Sequence, residues 1–217
     1  NILNGDKILR QLTLLITLLL ASNLANAAPS KIQVDGEKLI YNTDLPSLSE
    51  DEAEIVEEDV KIIKEFLSNN PSIRSIELTS GGGDVSAAYD IVDIIMENDL
   101  DIHVVGACES ACPLLLLAGR VRTAEAGSKI GFHQTSVSPE NEESNYNKMK
   151  EEMGFKSPFD YVAWSMADTQ EIMLNDLYYY QSLGLSLDFV VMTLEAPSDE
   201  MFYPSHEWLL KENVLSQ

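Results

Sequence analysis

Three short stretches hold residues that could do chemistry together: Ser80-Gly81-Gly82-Gly83-Asp84, Ser110 between Cys108 and Cys112, and His133 in Gly131-Phe132-His133-Gln134. Three glycines in succession let the backbone turn sharply and present N–H groups that no side chain shields, which suits an anion or an oxyanion. The run matches neither G-x-x-x-x-G-K-S/T nor G-x-G-x-x-G, so a nucleotide-phosphate loop is not indicated. Ser110 falls where a strand gives way to a helix, and its hydroxyl meets free backbone N–H groups there; an N-cap serine would sit in the same place and do no chemistry. His133 closes a strand, and an imidazole at the C-terminal edge of an α/β sheet faces the crevice where ligands bind. Taken singly, each has a structural reading. Together, a naked glycine turn, a serine at the next helix start and a histidine one or two strands later provide the three functions that acyl transfer needs. His103, His206 and two cysteines four apart form no zinc-ligand pattern, so no metal and no cofactor is expected.

The elements that must position these residues alternate along the chain. Residues 31–42 read as a β-hairpin around Asp35-Gly36. A capping box of Ser49 with Glu52 opens a helix that places Ile55, Val56, Ile62, Ile63, Phe66 and Leu67 mostly on one side, as far as Asn69-Asn70-Pro71. Residues 73–78 alternate as a strand does and run into the glycine turn; Val85, Ala88, Tyr89, Val92, Ile95 and Met96 then repeat with helical spacing. A short strand over 102–105 leads through Gly106 towards Ser110. Pro113 suits only a first turn, so the Leu-rich helix begins close to Ser110 and ends near Gly119. Residues 121–123 and 129–132 read as two more short strands. The polar stretch 134–157 reads as a flexible insertion or lid, or equally as a plain surface loop. A long helix over 158–183, a shorter one over 186–194, a last strand at 201–203 and a terminal helix follow. Strand and helix alternation predicts an α/β fold with mainly parallel pairing.

Lys7 and Arg10 precede an apolar run over 12–21, and Ala25-Asn26-Ala27 offers small residues in the A-x-A pattern of a signal peptidase site. Residues 1–27 are therefore expected to be a cleaved signal peptide, leaving one domain over 28–217 that is exported to the periplasm or secreted. The apolar run is ten residues long, half of the roughly 20 that a bilayer requires, so no stable membrane anchor is expected after cleavage. The formal net charge of −22 becomes −23 once Lys7, Arg10 and Asp6 are removed, and such a surface repels phosphate backbones and anionic lipid. Nucleic acid is excluded as a partner on that ground. Cys108 and Cys112 are the only cysteines, and export favours a disulfide between them. Regular helix geometry would put their Cα atoms roughly 6 Å apart, whereas an extended segment before the helix would separate them too far.

The three stretches also resemble a known family. Ser80-Gly81-Gly82-Gly83-Asp84-Val85 looks like the S-P-G-G-S-V turn of ClpP-type peptidases, and 106–112 with the following 114–119 resembles their G-x-x-x-S-M-G-A-x-L-L-A-x-G nucleophile helix. Residues 129–134 are similar to the family's strand ending in M-I-H-Q, and all three motifs stand in the same order. The resemblance is good over 73–134 and loose in the C-terminal third; it is closest to exported ClpP-like proteins with C-x-S-A-C. It implies a ClpP/crotonase-like fold of repeated strand-strand-helix units behind an N-terminal hairpin and helix. It further implies that Ser110 attacks, that His133 is the general base and that the N–H groups of Gly83 and Ala111 form the oxyanion hole. Peptide or protein substrates and assembly into a homo-oligomer are also implied by the resemblance.

The family's triad aspartate has no counterpart. Counting from either flank lands on Thr193 or on Glu195 and Ala196, so Glu195, Asp199 or, less effectively, Thr193 is left to orient His133. The expected activity is that of a serine hydrolase, a peptidase working through a Ser110 acyl-enzyme. Two alternatives stand beside it: a non-catalytic binding or assembly protein on the same fold, which the missing aspartate favours, and a crotonase-like acyl-thioester enzyme, which would leave Ser110 without a task.

Overall fold

Burial alternates residue by residue along Lys38–Asn42 (β2), as a strand's two-residue period requires, and Gly36 at φ +62° makes the two-residue turn that joins it to the edge strand Ile32–Asp35 (β1), of which Ile32 is buried. The computed structural model describes residues 30–49 and 52–216; the segment 1–27 and its Ala25-Asn26-Ala27 site lie outside the described residues. β1 and β2 pair antiparallel, and every later pairing is parallel: β2 with Ser75–Ser80 (β3), β3 with Asp101–Glu109 (β4), and β4 with both Arg122–Ala124 (β5) and Lys129–Gly131 (β6). The α/β class with mainly parallel pairing is thus observed.

β5 and β6 are not two neighbouring strands. β5 pairs with residues 102–104 of β4 and β6 with 107–109 on the same side, so they form one interrupted edge strand. The interruption, 125–128, lies opposite Gly106 (φ +78°), where β4 also shifts its register against β3. Ser128 stitches the two irregularities together: its hydroxyl accepts the Gly106 N–H at 3.1 Å and donates to the Val104 carbonyl at 3.2 Å. Gly106 therefore does not end the strand, as its sequence position suggests; β4 runs on to Glu109.

The first helix among the described residues, Glu57–Asn69 (α1), starts later than the Ser49/Glu52 pair indicates. Those two residues do bond each other, the Ser49 hydroxyl donating to Glu52 at 2.7 Å, but they close a separate turn. The delay has a physical cause: Ile55 is taken by a parallel bridge to Gly83 and cannot be helical. Asp59 caps α1 instead. Its buried carboxylate accepts the Val56 N–H at 3.0 Å and the Tyr41 hydroxyl at 2.6 Å and pairs with Lys31 at 2.7 Å.

Val85–Glu97 (α2) buries Ala88, Ile91, Val92 and Ile95, while Met96, read as part of that face, is 54% exposed. Cys112–Ala118 (α3) is buried almost throughout. Residues 134–157 are not a bare loop: they contain a helix, Pro139–Met149 (α4), started by the Ser138 hydroxyl and Pro139, with no residue buried. Pro158–Ser182 (α5), Leu187–Glu195 (α6) and His206–Lys211 (α7) complete the helices. Residues 201–203 form no strand; Phe202 makes a single antiparallel bridge to Phe132. Among the described residues no helix is long and apolar enough to cross a membrane.

Candidate active site

The glycine turn at the end of β3 is held by buried hydroxyls. Ser80 Oγ accepts from Thr43 Oγ1 at 3.0 Å and from the Gly82 N–H at 3.1 Å. The Gly82 carbonyl accepts the Ile55 N–H at 2.8 Å and the Ile55 carbonyl accepts the Asp84 N–H at 2.9 Å. Gly83 lies between these two bonds at φ +143°, and a Cβ there would come within 2.4 Å of the Ile55 nitrogen. Only glycine fits. Its own N–H is outside the bridge, and among the described residues no hydrogen bond engages it. The same holds for the N–H of Ala111, which is 3% exposed. Asp84 ends the turn by accepting the Ala87 N–H at 2.8 Å and starting α2.

Gly82 supports the nucleophile directly. At φ +105°, its missing Cβ would lie 2.5 Å from Ser110 Cβ and 3.0 Å from Ser110 Oγ. Ser110 has φ +60°, an uncommon conformation for a residue with a side chain and one found where surrounding structure over-determines it. Its N–H donates to the Gly131 carbonyl at 3.1 Å. Ser110 is not the N-cap of α3; that position is Ala111, with Pro113 in the first turn. Its hydroxyl is therefore free of the capping role that the sequence alone allows.

The last paired rung of β4 and β6 is Glu109 with Gly131, which brings Ser110 and His133 together just beyond the strand ends. His133 Nε2 lies 2.7 Å from Ser110 Oγ, and Nδ1 lies 3.0 Å from the Ser198 carbonyl oxygen. A carbonyl only accepts, so Nδ1 carries the proton, the Nε2 lone pair faces Ser110, and the Ser110 hydroxyl donates to it. The tautomer is the one a general base requires.

None of the three side chains proposed to orient His133 does so. Thr193 is buried and donates to the Val190 carbonyl at 2.7 Å, while neither Glu195 nor Asp199 bonds the imidazole. The main chain takes that place. Gln134 holds the segment carrying Ser198 close, its N–H donating to the Ala196 carbonyl at 2.9 Å and its side chain to the Leu194 carbonyl at 2.8 Å. A backbone carbonyl has no side-chain signature, so nothing in the sequence marks it. The close approach of Gly82 was missed for a similar reason, although three successive glycines hint at it.

Cys108, in β4, and Cys112, the first residue of α3, are joined in a disulfide with their Cα atoms 5.1 Å apart. Although Cys108 is in an extended strand, the left-handed turn at Ser110 doubles the chain back and brings the pair within bonding distance.

The rim beside Ser110 is anionic. Burial and then the charge of Glu109 raise the Asp44 carboxyl above its ordinary range, offset in part by the Gly81 N–H it accepts. Glu109 accepts the Tyr203 hydroxyl at 2.6 Å, which pushes that phenol up to about 12, and Lys129 stands over the same ring at 5.5 Å. His103 is elsewhere, bonded to Thr123 at 2.8 Å. Among the described residues no cluster of three or more His, Cys, Asp or Glu side chains could hold a metal ion.

No protein-family model matches the chain, and no curated protein matches it. Among solved structures it is similar to a ClpP1 mutant from Listeria monocytogenes, at 20% identity and a TM-score of 0.48, with 75% of this chain and 85% of that one covered. A likeness of that size carries no argument about activity, which must come from the geometry of Ser110, His133 and the glycine turn.

Proposed function

We propose that the chain is an exported serine hydrolase, a peptidase of the ClpP type. One observation carries the reading: His133 Nε2 sits 2.7 Å from Ser110 Oγ with its tautomer fixed by the Ser198 carbonyl. Ser110 Oγ attacks the scissile carbonyl carbon as His133 takes the hydroxyl proton. His133 then gives that proton to the leaving amine; water, deprotonated in turn by His133, attacks the acyl carbon, and the Oγ–C bond breaks as His133 returns the proton to Ser110 Oγ, releasing the acid. The unengaged N–H groups of Gly83 and Ala111 are the donors for the tetrahedral oxyanion, each worth on the order of 10² to 10³ in rate. Peptide or protein substrates follow from the motif resemblance, as does self-association. Export accords with the A-x-A site and with a disulfide, which persists in oxidising surroundings.

The missing carboxylate behind His133 favours the binding-protein reading, and one experiment separates the two. A fluorophosphonate should label the wild type. Ser110→Ala should abolish labelling, and His133→Ala should slow it about 10²- to 10⁴-fold with the circular dichroism unchanged. A wild type that stays unlabelled, or a His133→Ala variant that labels at the wild-type rate, overturns the hydrolase reading. The thioester reading requires turnover that Ser110→Ala leaves intact.

A further inference from the structure

We propose that the Cys108–Cys112 disulfide is the clamp that holds Ser110 against His133, so that reducing it disengages the nucleophile while the domain stays folded. The consequence for reactivity rests on the hydrolase reading; the clamp itself does not.

The bridge is centred on Ser110, with one residue between it and each cysteine. Four residues of extended chain would span roughly 13 Å, against the 5.1 Å between these Cα atoms, so the bond excludes an extended path between them, and with Cys108 in a strand rather than a helix the chain must turn back before Cys112. The doubling back is the turn at Ser110, whose φ of +60° a free chain with a side chain leaves readily. Apart from the bridge, the turn is held by the close approach of Gly82 to Ser110 and by a few hydrogen bonds. α3 is seven residues long and its N-cap, Ala111, makes no side-chain cap bond; the other restraints on Ser110 are its N–H bond to Gly131 and its hydroxyl bond to His133.

Both ends of the clamp are fixed. Cys108 is fully buried in β4, level with Ser80 of β3 on one side and Ile130 of β6 on the other, so it is tied to the strands that lead to the glycine turn and to His133. Cys112 is fully buried at the start of α3, whose Leu114, Leu115, Leu116 and Leu117 sit in the core. Sheet and helix are thus held by their own packing. What the bond adds is a further tie across Ser110 and Ala111, the nucleophile and one oxyanion donor, just beyond the strand end at Glu109.

Reduction by a dithiol breaks the S–S bond through a mixed disulfide. The two protein sulfurs gain two electrons and two protons, and the dithiol closes to its own disulfide. Nucleophile competence would then be confined to compartments where the bridge forms, and the reduced chain would be inert before export.

The test compares oxidised protein, protein reduced with dithiothreitol until two thiols titrate, reoxidised protein, and the Cys108→Ala/Cys112→Ala variant. Fluorophosphonate labelling should slow at least about tenfold on reduction and recover on reoxidation with oxidised glutathione. The variant should label at the reduced rate and ignore dithiothreitol. The ¹⁵N shifts of the His133 ring, which report the Ser110 hydroxyl bond without any reaction, should move on reduction in wild type only. If labelling rate and ring shifts are unchanged with both thiols free, the clamp is refuted. If reduction abolishes the cooperative fold, the bond is a general stabiliser and the proposal also falls. If no form labels yet the ring shifts move on reduction, the clamp stands and the hydrolase reading fails.

Discussion

Because the Ser198 carbonyl can only accept, His133 has its tautomer set by the main chain, and neither Glu195 nor Asp199 hydrogen-bonds the imidazole. Glu195→Ala and Asp199→Ala should therefore each leave the fluorophosphonate rate within about twofold of wild type; a tenfold loss in either would return the orienting role to a carboxylate. An enzyme built this way keeps the tautomer that a wrongly oriented imidazole loses, but lacks an anion to stabilise the imidazolium, and should be slower than one with a full triad. Gly82→Ala tests the other side of the nucleophile. The added methyl would fall 2.5 Å from Ser110 Cβ, so the serine must shift, and a displacement near 1 Å costs about 10²-fold in rate. Labelling at wild-type speed with the fold intact would show that the turn yields instead. The meeting of Ser110 with His133 beside the glycine turn is legible in the sequence because the three motifs fix both type and order. Ser198 is not, since its contribution is main chain and any residue there can supply it.

At the scale of elements, the Asp35-Gly36 turn marks the hairpin, helical spacing marks α1 and α2, and Pro113 with the leucine run marks α3. Helical spacing misjudges the places where tertiary pairing competes. Ile55 shows this best: its spacing joins it to α1, yet it is used to grip Gly83, and the helix starts only at Glu57. The glycine turn and the start of α1 are thus one structure. The edge strand interrupted at 125–128 reads as two strands in the sequence because nothing local announces that both halves face β4. β5 is held from the far end of the chain. The buried Arg122 guanidinium donates to the carbonyls of Gly119 at 3.0 Å, Asn213 at 2.8 Å and Val214 at 3.1 Å, and the Arg122 carbonyl accepts the Ser216 N–H at 2.8 Å. Arg122→Met keeps volume but leaves those carbonyls without a donor, at about 1–3 kcal/mol for each group that water does not reach. We expect a loss of about 2–4 kcal/mol in urea unfolding, with the labelling rate of the folded protein unchanged. A loss under about 0.5 kcal/mol would mean that water replaces the guanidinium.

For the whole molecule the dominant physical fact is charge. Thirty-six acidic residues against fourteen basic ones leave a surface that repels itself, and four ion pairs relieve it among the described residues. Added salt shortens the reach of that repulsion to about 10 Å at 0.1 M. Thermal unfolding should therefore shift upward from 10 mM to 0.5 M sodium chloride, by roughly 2–4 °C for each kcal/mol recovered; a flat or falling melting temperature would place the acidic groups too far apart to matter. The rung that pairs Glu109 with Gly131 has a consequence of another kind. Strand pairing works like a reading frame: it comes in whole residues, and a slip of one turns every side chain to the opposite face. The turn at 125–128 lies upstream of that rung, and nothing stands within 4 Å of where a Cβ on Gly127 would be. Extra residues inserted there can loop outward while the frame downstream is kept, and His133 stays opposite Ser110. A residue added between Gly131 and His133 has no such outlet and would send the imidazole to the wrong side of the sheet.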